Sequence, residues 1–368
     1  MPYPAHGANA GELYRLLGVK MPKNIIDLSE NVNPAGVPES IQRAWPKLID
    51  AVSHYPDEQA EPFRTDAAKF HKVPQEQIIV GNGAAECLMV LAKYFSGKTV
   101  GLLEPAFSEY RRTLLQEKVQ VVSILVDNIC TYQFSLETVK KHMYSLDALY
   151  LCNPNNPTGV LTPKKQIEEL LQHGQMTNCA IVVDEAFMDW TDEKESVISL
   201  VSQYDNLIVL RSMTKMYALA GIRLGYIISG RAQQFSGFFP HWNVSGIAIQ
   251  LGCLCLKEEQ YVKEARQYSD QARRKLTDFL VDHGCDVSKS AANFILFRLP
   301  ENYNPDHFFM SLLIKGVVLR HTKNYTGLNG QWFRVAVKQA EQIAIFKREF
   351  TEYEQNNSNV PAWRDRVE

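Results

Sequence analysis

Between residues 78 and 230 the chain alternates short apolar runs with stretches of helical periodicity. The runs lie at residues 78–80, 99–103, 121–126, 148–152, 180–184, 207–211 and 226–229, and most are rich in Val, Ile and Leu. They lack polar alternation, which is expected of strands covered on both faces. Helical patterns at residues 84–95 and 164–173 sit between them. This alternation predicts an α/β fold with a mostly parallel central sheet in one large domain.

The texture changes after residue 256. A long charged helical stretch at 258–283 precedes a strand at 293–298, a helix at 306–315, strands at 317–320 and 332–337, and a helix at 341–355. These elements predict a second, smaller α+β domain. The first forty residues hold little that could fold alone. The expected division is therefore a large domain at 41–274 and a small domain built from 1–40 together with 275–368. Neither an internal repeat nor a low-complexity linker interrupts the chain.

Charge narrows the possible partners. Thirty-nine Lys and Arg against forty-one Asp and Glu leave a net charge of -2. That balance offers no electrostatic footprint for nucleic acid or for an anionic membrane surface. A local arginine pocket for a small anion remains compatible with it. The N-terminus lacks a basic n-region and an apolar h-region. No apolar run approaches the ~20 residues needed to cross a bilayer. A soluble cytoplasmic protein is the expectation. The seven cysteines contain no C-x-x-C pair and predict buried, reduced thiols. No metal-ligand pattern is read.

Four segments carry chemistry, in order. Gly81-Asn82-Gly83-Ala84-Ala85-Glu86 follows a strand and opens a helix, so its backbone N–H groups and the positive helix end would face an anion. Asn153-Pro154-Asn155-Asn156-Pro157-Thr158-Gly159 is a rigid loop after the 148–152 run, at the end of a strand where open α/β sheets bind ligands. Asp184 closes a buried apolar run, where a carboxylate is costly without a cationic partner. Ser212-Met213-Thr214-Lys215 offers a lysine flanked by hydroxyls, with Arg223 eight residues on.

Together these segments resemble the fold-type I pyridoxal-phosphate enzymes related to aspartate aminotransferase, over almost the whole chain from His6 to Val337. The resemblance implies that pyridoxal 5'-phosphate is held as a Schiff base on Lys215, which later moves the proton at Cα. It implies that Asp184 faces the pyridine nitrogen and that Asn156 donates to the ring's 3-oxygen. Gly83, Ala84, Ser212 and Arg223 would hold the phosphate, and Phe107 would stack on the ring. Tyr55, in His54-Tyr55-Pro56-Asp57, matches a tyrosine that reaches the neighbouring subunit's phosphate, which implies a homodimer with shared sites.

Two branches of these enzymes handle phosphorylated, amine-bearing substrates: threonine-phosphate decarboxylases and histidinol-phosphate aminotransferases. The His6-Gly7-Ala8-Asn9 opening with the 26–34 segment (the latter shared with the aminotransferases), Phe187 where aminotransferases usually place a tyrosine, and the 319–328 tail with 333–337 resemble the decarboxylases. That resemblance implies decarboxylation of L-threonine O-3-phosphate to (R)-1-amino-2-propanol O-2-phosphate, a building block of cobalamin. L-Serine O-phosphate is a further candidate substrate. Arg334 would bind the substrate carboxylate, and Arg320 the phosphate, with His6 and Asn31 helping. Transamination of histidinol phosphate is the alternative. A non-catalytic regulator on the same fold is a remote one, because Lys215 and Asp184 are both present.

Overall fold

A computed structural model describes Tyr3, Pro4 and residues 6–357. Its strands, in chain order, are β1 (Ile26–Asp27), β2 (Ile78–Gly81), β3 (Thr99–Glu104), β4 (Gln120–Leu125), β5 (Ala148–Cys152), β6 (Ala180–Asp184), β7 (Leu207–Ser212) and β8 (Gly225–Ser229). Five more follow: β9 (Asp286–Val287), β10 (Phe294–Arg298), β11 (Val317–Val318), β12 (Arg320–His321) and β13 (Trp332–Ala336).

The seven expected strands form one sheet in the order β2-β8-β7-β6-β5-β3-β4. All its neighbours pair in parallel except those of β8, which runs antiparallel to β2 and β7. β5, β6, β7 and β8 are buried at every residue, as their unbroken apolar runs require. Helices cover both faces. One face holds a core that includes Cys87, Leu91, Tyr110 and Leu210. The other holds a larger core that includes Phe63, Ile181, Val209 and Tyr226. A side chain such as Phe63, 0% exposed, contributes roughly 1.5–3 kcal/mol by leaving water.

A separate core gathers Leu13, Tyr14 and Leu28 from the start of the chain with Phe297, Phe308 and Phe350 from its end. It packs on a four-stranded antiparallel sheet ordered β12-β13-β10-β9. The N-terminal segment joins it through β1, parallel to β11, and through a helix Ala10–Leu17. That helix is capped by Asn9, whose side chain accepts from Glu12 N, and it stops at Gly18 in the left-handed region. The 24-residue helix Glu259–Asp282 runs unbroken from one core, at Ala265, to the other, at Leu276 and Leu280. The residue 274/275 boundary thus falls inside one helix.

One predicted element is corrected. The run 317–320 is not a single strand, because β11 pairs with β1 whereas β12 pairs with β13. Leu28 bridges the two, its N–H donating to Val318 O at 2.9 Å and its carbonyl accepting from Ala336 N at 2.8 Å. Among the described residues no helix is long and apolar enough to cross a membrane. All seven cysteines are free; Cys130 and Cys253 are half-buried and the other five buried.

Candidate active site

The carboxyl ends of the parallel strands β5, β6 and β7 place the 153–159 loop, Asp184 and Ser212 side by side. β2 ends beside them at Gly81, and the helix Gly83–Tyr94 starts there. Gly83 has φ +78. A Cβ on Gly225 would lie 2.4 Å from Ala84 N and 2.9 Å from Gly83 C, so β8 passes directly against the helix start. A Cβ on Gly83 would meet Arg223 Nη2 at 2.8 Å. Open amides, a guanidinium and the Ser212 hydroxyl therefore converge, which makes an anion cradle.

Asp184 is 5% exposed. The Tyr110 hydroxyl donates to its Oδ2 at 2.6 Å and Ala186 N to its Oδ1 at 2.9 Å. Burial raises its carboxyl, while Tyr110, Ala186 and the Lys215 charge pull it down. Lys215 is pushed down to about 8, first by burial and then by the Arg334 and Arg223 charges. A neutral amine is thus accessible near physiological pH, which a nucleophilic lysine needs.

On the opposite side Arg334 is 6% exposed. Its Nη1 donates to Asn156 Oδ1 at 2.6 Å and its Nη2 to Ser29 O at 2.7 Å. No carboxylate of the described residues pairs with it; among them it is a buried cation facing a pocket. Arg320, 2% exposed, is its register partner across β12 and β13. Arg320 Nη1 donates to His321 O at 2.8 Å and Nη2 to Asn324 Oδ1 at 2.8 Å, while Tyr325 offers its ring face at 5.1 Å. From the N-terminal segment, His6 Nε2 reaches Glu109 Oε1 at 2.8 Å, and its ring stands 5.9 Å from that of Phe107. Asn31 lines the same space, its buried Oδ1 without a described partner.

All of this encloses one cavity of about 310 Å³. The chain matches the family described as Aminotransferase class I and II over residues 23–348. It is a member of that family. It is 29% identical to the threonine-phosphate decarboxylase of Salmonella typhimurium over 347 residues, covering 92% of this chain and 93% of the relative. Its fold is similar to histidinol-phosphate aminotransferase from Clostridium acetobutylicum, with TM-score 0.85, 28% identity and coverage of 89% and 99%. It is also similar to the Sinorhizobium meliloti histidinol-phosphate aminotransferase solved with pyridoxal-5'-phosphate, with TM-score 0.84, 20% identity and coverage of 97% and 96%.

Pyridoxal 5'-phosphate is the cofactor of this aminotransferase-family chain, and the pocket fits it. The Gly83–Ala84 amides, Ser212 and Arg223 would take the phosphate; the buried Asp184 would meet the ring nitrogen. Lys215 would be the covalent anchor. Phe107 lines the cavity where a ring face is needed, and Asn156 keeps its Nδ2 free of described partners while its Oδ1 holds Arg334. Phe187 also lines the cavity, edge-on to Phe294 at 4.9 Å, and brings no hydroxyl there.

Ten of the residues expected at the site from sequence line this cavity together with Ala84: His6, Asn31, Phe107, Asn156, Asp184, Ser212, Lys215, Arg223, Arg320 and Arg334. Gly83 borders it through Arg223. Tyr55 does not belong to this chain's cavity. It is 83% exposed and pairs with Trp242, ring centroids 5.0 Å apart. Sequence reasoning missed Tyr110, Glu109, Ser29 and Glu30, which also line the cavity. Tyr110 had a local signal, being three residues beyond Phe107 at a helix start and hence on the same face. Glu109 had the same local signal, lying between Phe107 and Tyr110, and Ser29 and Glu30 directly precede Asn31, but no chemistry in their own residue types singled them out.

The Tyr110→Phe protein is expected to lose about tenfold in kcat at neutral pH, the scale of one hydrogen bond to a charged group. Without the hydroxyl the Asp184 carboxyl rises further, so the acid limb of the kcat profile should move to higher pH. An acid limb that stays in place would remove Tyr110 from this role.

Proposed function

We propose that the protein decarboxylates L-threonine O-3-phosphate to (R)-1-amino-2-propanol O-2-phosphate. The observation that carries this reading is the pairing of two buried arginines, Arg320 and Arg334, in register on adjacent strands and facing one cavity. Two guanidiniums at that spacing suit a small substrate with two anionic groups, one of them a carboxylate. Arg334 takes the carboxylate, because burial without an acidic partner leaves its charge for a ligand. Arg320, helped by His6 and Asn31, takes the phosphate. L-Serine O-phosphate differs by one methyl group, worth about 1–3 kcal/mol in a pocket, and is a secondary substrate.

When bound, the cofactor supplies an electron sink for the pair left at Cα. Asp184 would hold the ring nitrogen in its charged form. Arg334 would fix the orientation of the substrate carboxylate, so that the Cα–carboxylate bond is the one broken. Lys215 then returns a proton to Cα. Tyr55, exposed in the single chain, would serve a second copy's phosphate in a homodimer.

The likeness to histidinol-phosphate aminotransferase favours a second reading, in which the Cα proton rather than the carboxylate is removed. Incubation with carboxyl-labelled threonine phosphate separates them. Labelled CO2 released without any oxo-acid is the expected result. Glutamate formed from histidinol phosphate and 2-oxoglutarate, with no CO2 from the first mixture, transfers the assignment to the aminotransferase. The same preparation should sediment as a dimer, and an active monomer takes Tyr55 out of the site.

A further inference from the structure

Behind the site, on the far face of the sheet, lies a buried ionic cluster that takes no part in the chemistry above. β-Strands turn successive side chains to opposite faces. Asp184 and Ser212 therefore face the cavity, and their neighbours Glu185 and Arg211 face away from it. Asp184 is in register with Leu210, and Glu185 N extends the ladder to Leu210 O at 2.8 Å. Glu185 and Arg211 thus come side by side, with Arg211 Nη1 donating to Glu185 Oε2 at 3.1 Å.

Both partners are held from every side. Glu185, 1% exposed, accepts from Val197 N at 2.8 Å and from the Ser196 hydroxyl at 2.7 Å. Arg211, 2% exposed, extends its Nη2 to Asp189 Oδ1 at 3.2 Å and to Glu193 Oε1 at 2.9 Å. Arg266, from the helix that joins the two cores, donates to Asp189 O at 2.5 Å. Three carboxylates around one guanidinium are a poor way to add stability, since burying charge costs at least as much as an apolar pair of the same volume. What such a cluster does provide is one allowed geometry, because a planar fork with fixed acceptors leaves little freedom.

We propose that Glu185 and Arg211 are positioning residues that set the spacing between the ring-nitrogen partner, Asp184, and the phosphate partner, Ser212, from the opposite face of the sheet. Each is covalently next to the group it positions. The pair clamps the ends of β6 and β7 together where the ladder stops, which is where strands otherwise fray. A cofactor that must touch Asp184 and the phosphate cradle at once is sensitive to that spacing. Ligands that touch only one of the two are not.

The test uses the full-length protein freed of cofactor, with two probes. Pyridoxine 5'-phosphate spans both anchors and cannot bond covalently to Lys215; inorganic phosphate engages the cradle alone. For the Glu185→Gln protein, affinity for pyridoxine 5'-phosphate should fall about 10- to 100-fold, the scale of an ångström-sized misplacement. Affinity for inorganic phosphate should stay within about twofold, because a single anchor needs no spacing. In the cofactor-loaded protein kcat should fall while KM changes little, and the visible absorption band of the bound cofactor should shift. Arg211→Lys, which keeps the charge and loses the fork, should reproduce the pattern. If Glu185→Gln does not fold, Ser196→Ala removes one donor from the same carboxylate and is read in the same way. Parent-like binding of pyridoxine 5'-phosphate overturns the proposal, and so does an equal weakening of both probes. The two binding readouts and the absorption band do not depend on which phosphorylated amino acid is the substrate.

Discussion

The Lys215→Ala protein is expected to turn over about 10⁴-fold more slowly and to hold no cofactor that borohydride can fix to the chain. Two functions are lost at once: the covalent anchor and the group that moves the proton at Cα. The remaining contacts at Asp184, Ser212, Arg223 and the helix start are untouched, so non-covalent cofactor should still be detected in the purified protein. pH supplies a second readout. Burial and the neighbouring Arg334 and Arg223 charges bring the parent lysine to about 8. Only the neutral amine attacks, so covalent uptake by the cofactor-free parent should accelerate as pH rises through about 8 and level off above it. The Lys215→Ala protein should show no such dependence. A reducible covalent cofactor in that variant would rule out Lys215 as the anchor.

The Arg334→Gln protein should lose about 10²- to 10³-fold in kcat/KM, in line with the 2–5 kcal/mol typical of removing one partner of a buried ionic contact. Part of the loss should fall on kcat, because the carboxylate would no longer be turned to the angle at which its bond breaks. Stability should respond differently. Burial lowers Arg334 to about 10, so folding disfavours its charged form at every pH below that value. Removing the charge relieves that penalty and gives up the hydrogen bonds to Asn156 and Ser29, and the melting temperature should change little. The parent should melt higher when threonine phosphate is added, since a ligand that binds only the folded state stabilises it, and the variant should gain much less. A variant that keeps its kcat/KM would show that another cation holds the carboxylate.

The chemistry of the site was legible in the sequence because each reactive group sits within a few residues of a strand end. Asp184 closes β6, Ser212 closes β7, and Gly83 opens the helix after β2. An apolar run buried on both faces predicts a strand, and a strand end in a parallel sheet predicts a ligand-facing loop. The segments that hold Lys215, Asp184 and Arg223 could therefore be singled out without knowing which strands are neighbours, and the resemblance to the fold-type I pyridoxal-phosphate enzymes supplied the role expected of each. The same local logic anticipated the strands Phe294–Arg298 and Trp332–Ala336 and the helices around them, whose periodicity is ordinary.

What needed the tertiary structure is everything that depends on which segments meet. The 317–320 run reads as one strand because three consecutive apolar residues lead straight into Arg320. Its apolar part, Val317 to Leu319, ends at Arg320, and the run divides because Val317–Val318 finds β1 while Arg320–His321 finds β13; pairing partners are not encoded in a strand's own residues. That Arg320 and Arg334 stand directly opposite each other follows only from the register of β12 with β13. His6 met Glu109 across about a hundred residues, and Tyr110 found Asp184 by packing its helix on the sheet. Glu185 and Arg211 look in the sequence like the less interesting neighbours of two reactive residues. The pleat sends them to the other face, and only the pairing of β6 with β7 makes them a clamp. Residue type and strand period determined which groups this protein has for its chemistry; long-range pairing, whose energy comes from burial shared between distant segments, decided how those groups face one another.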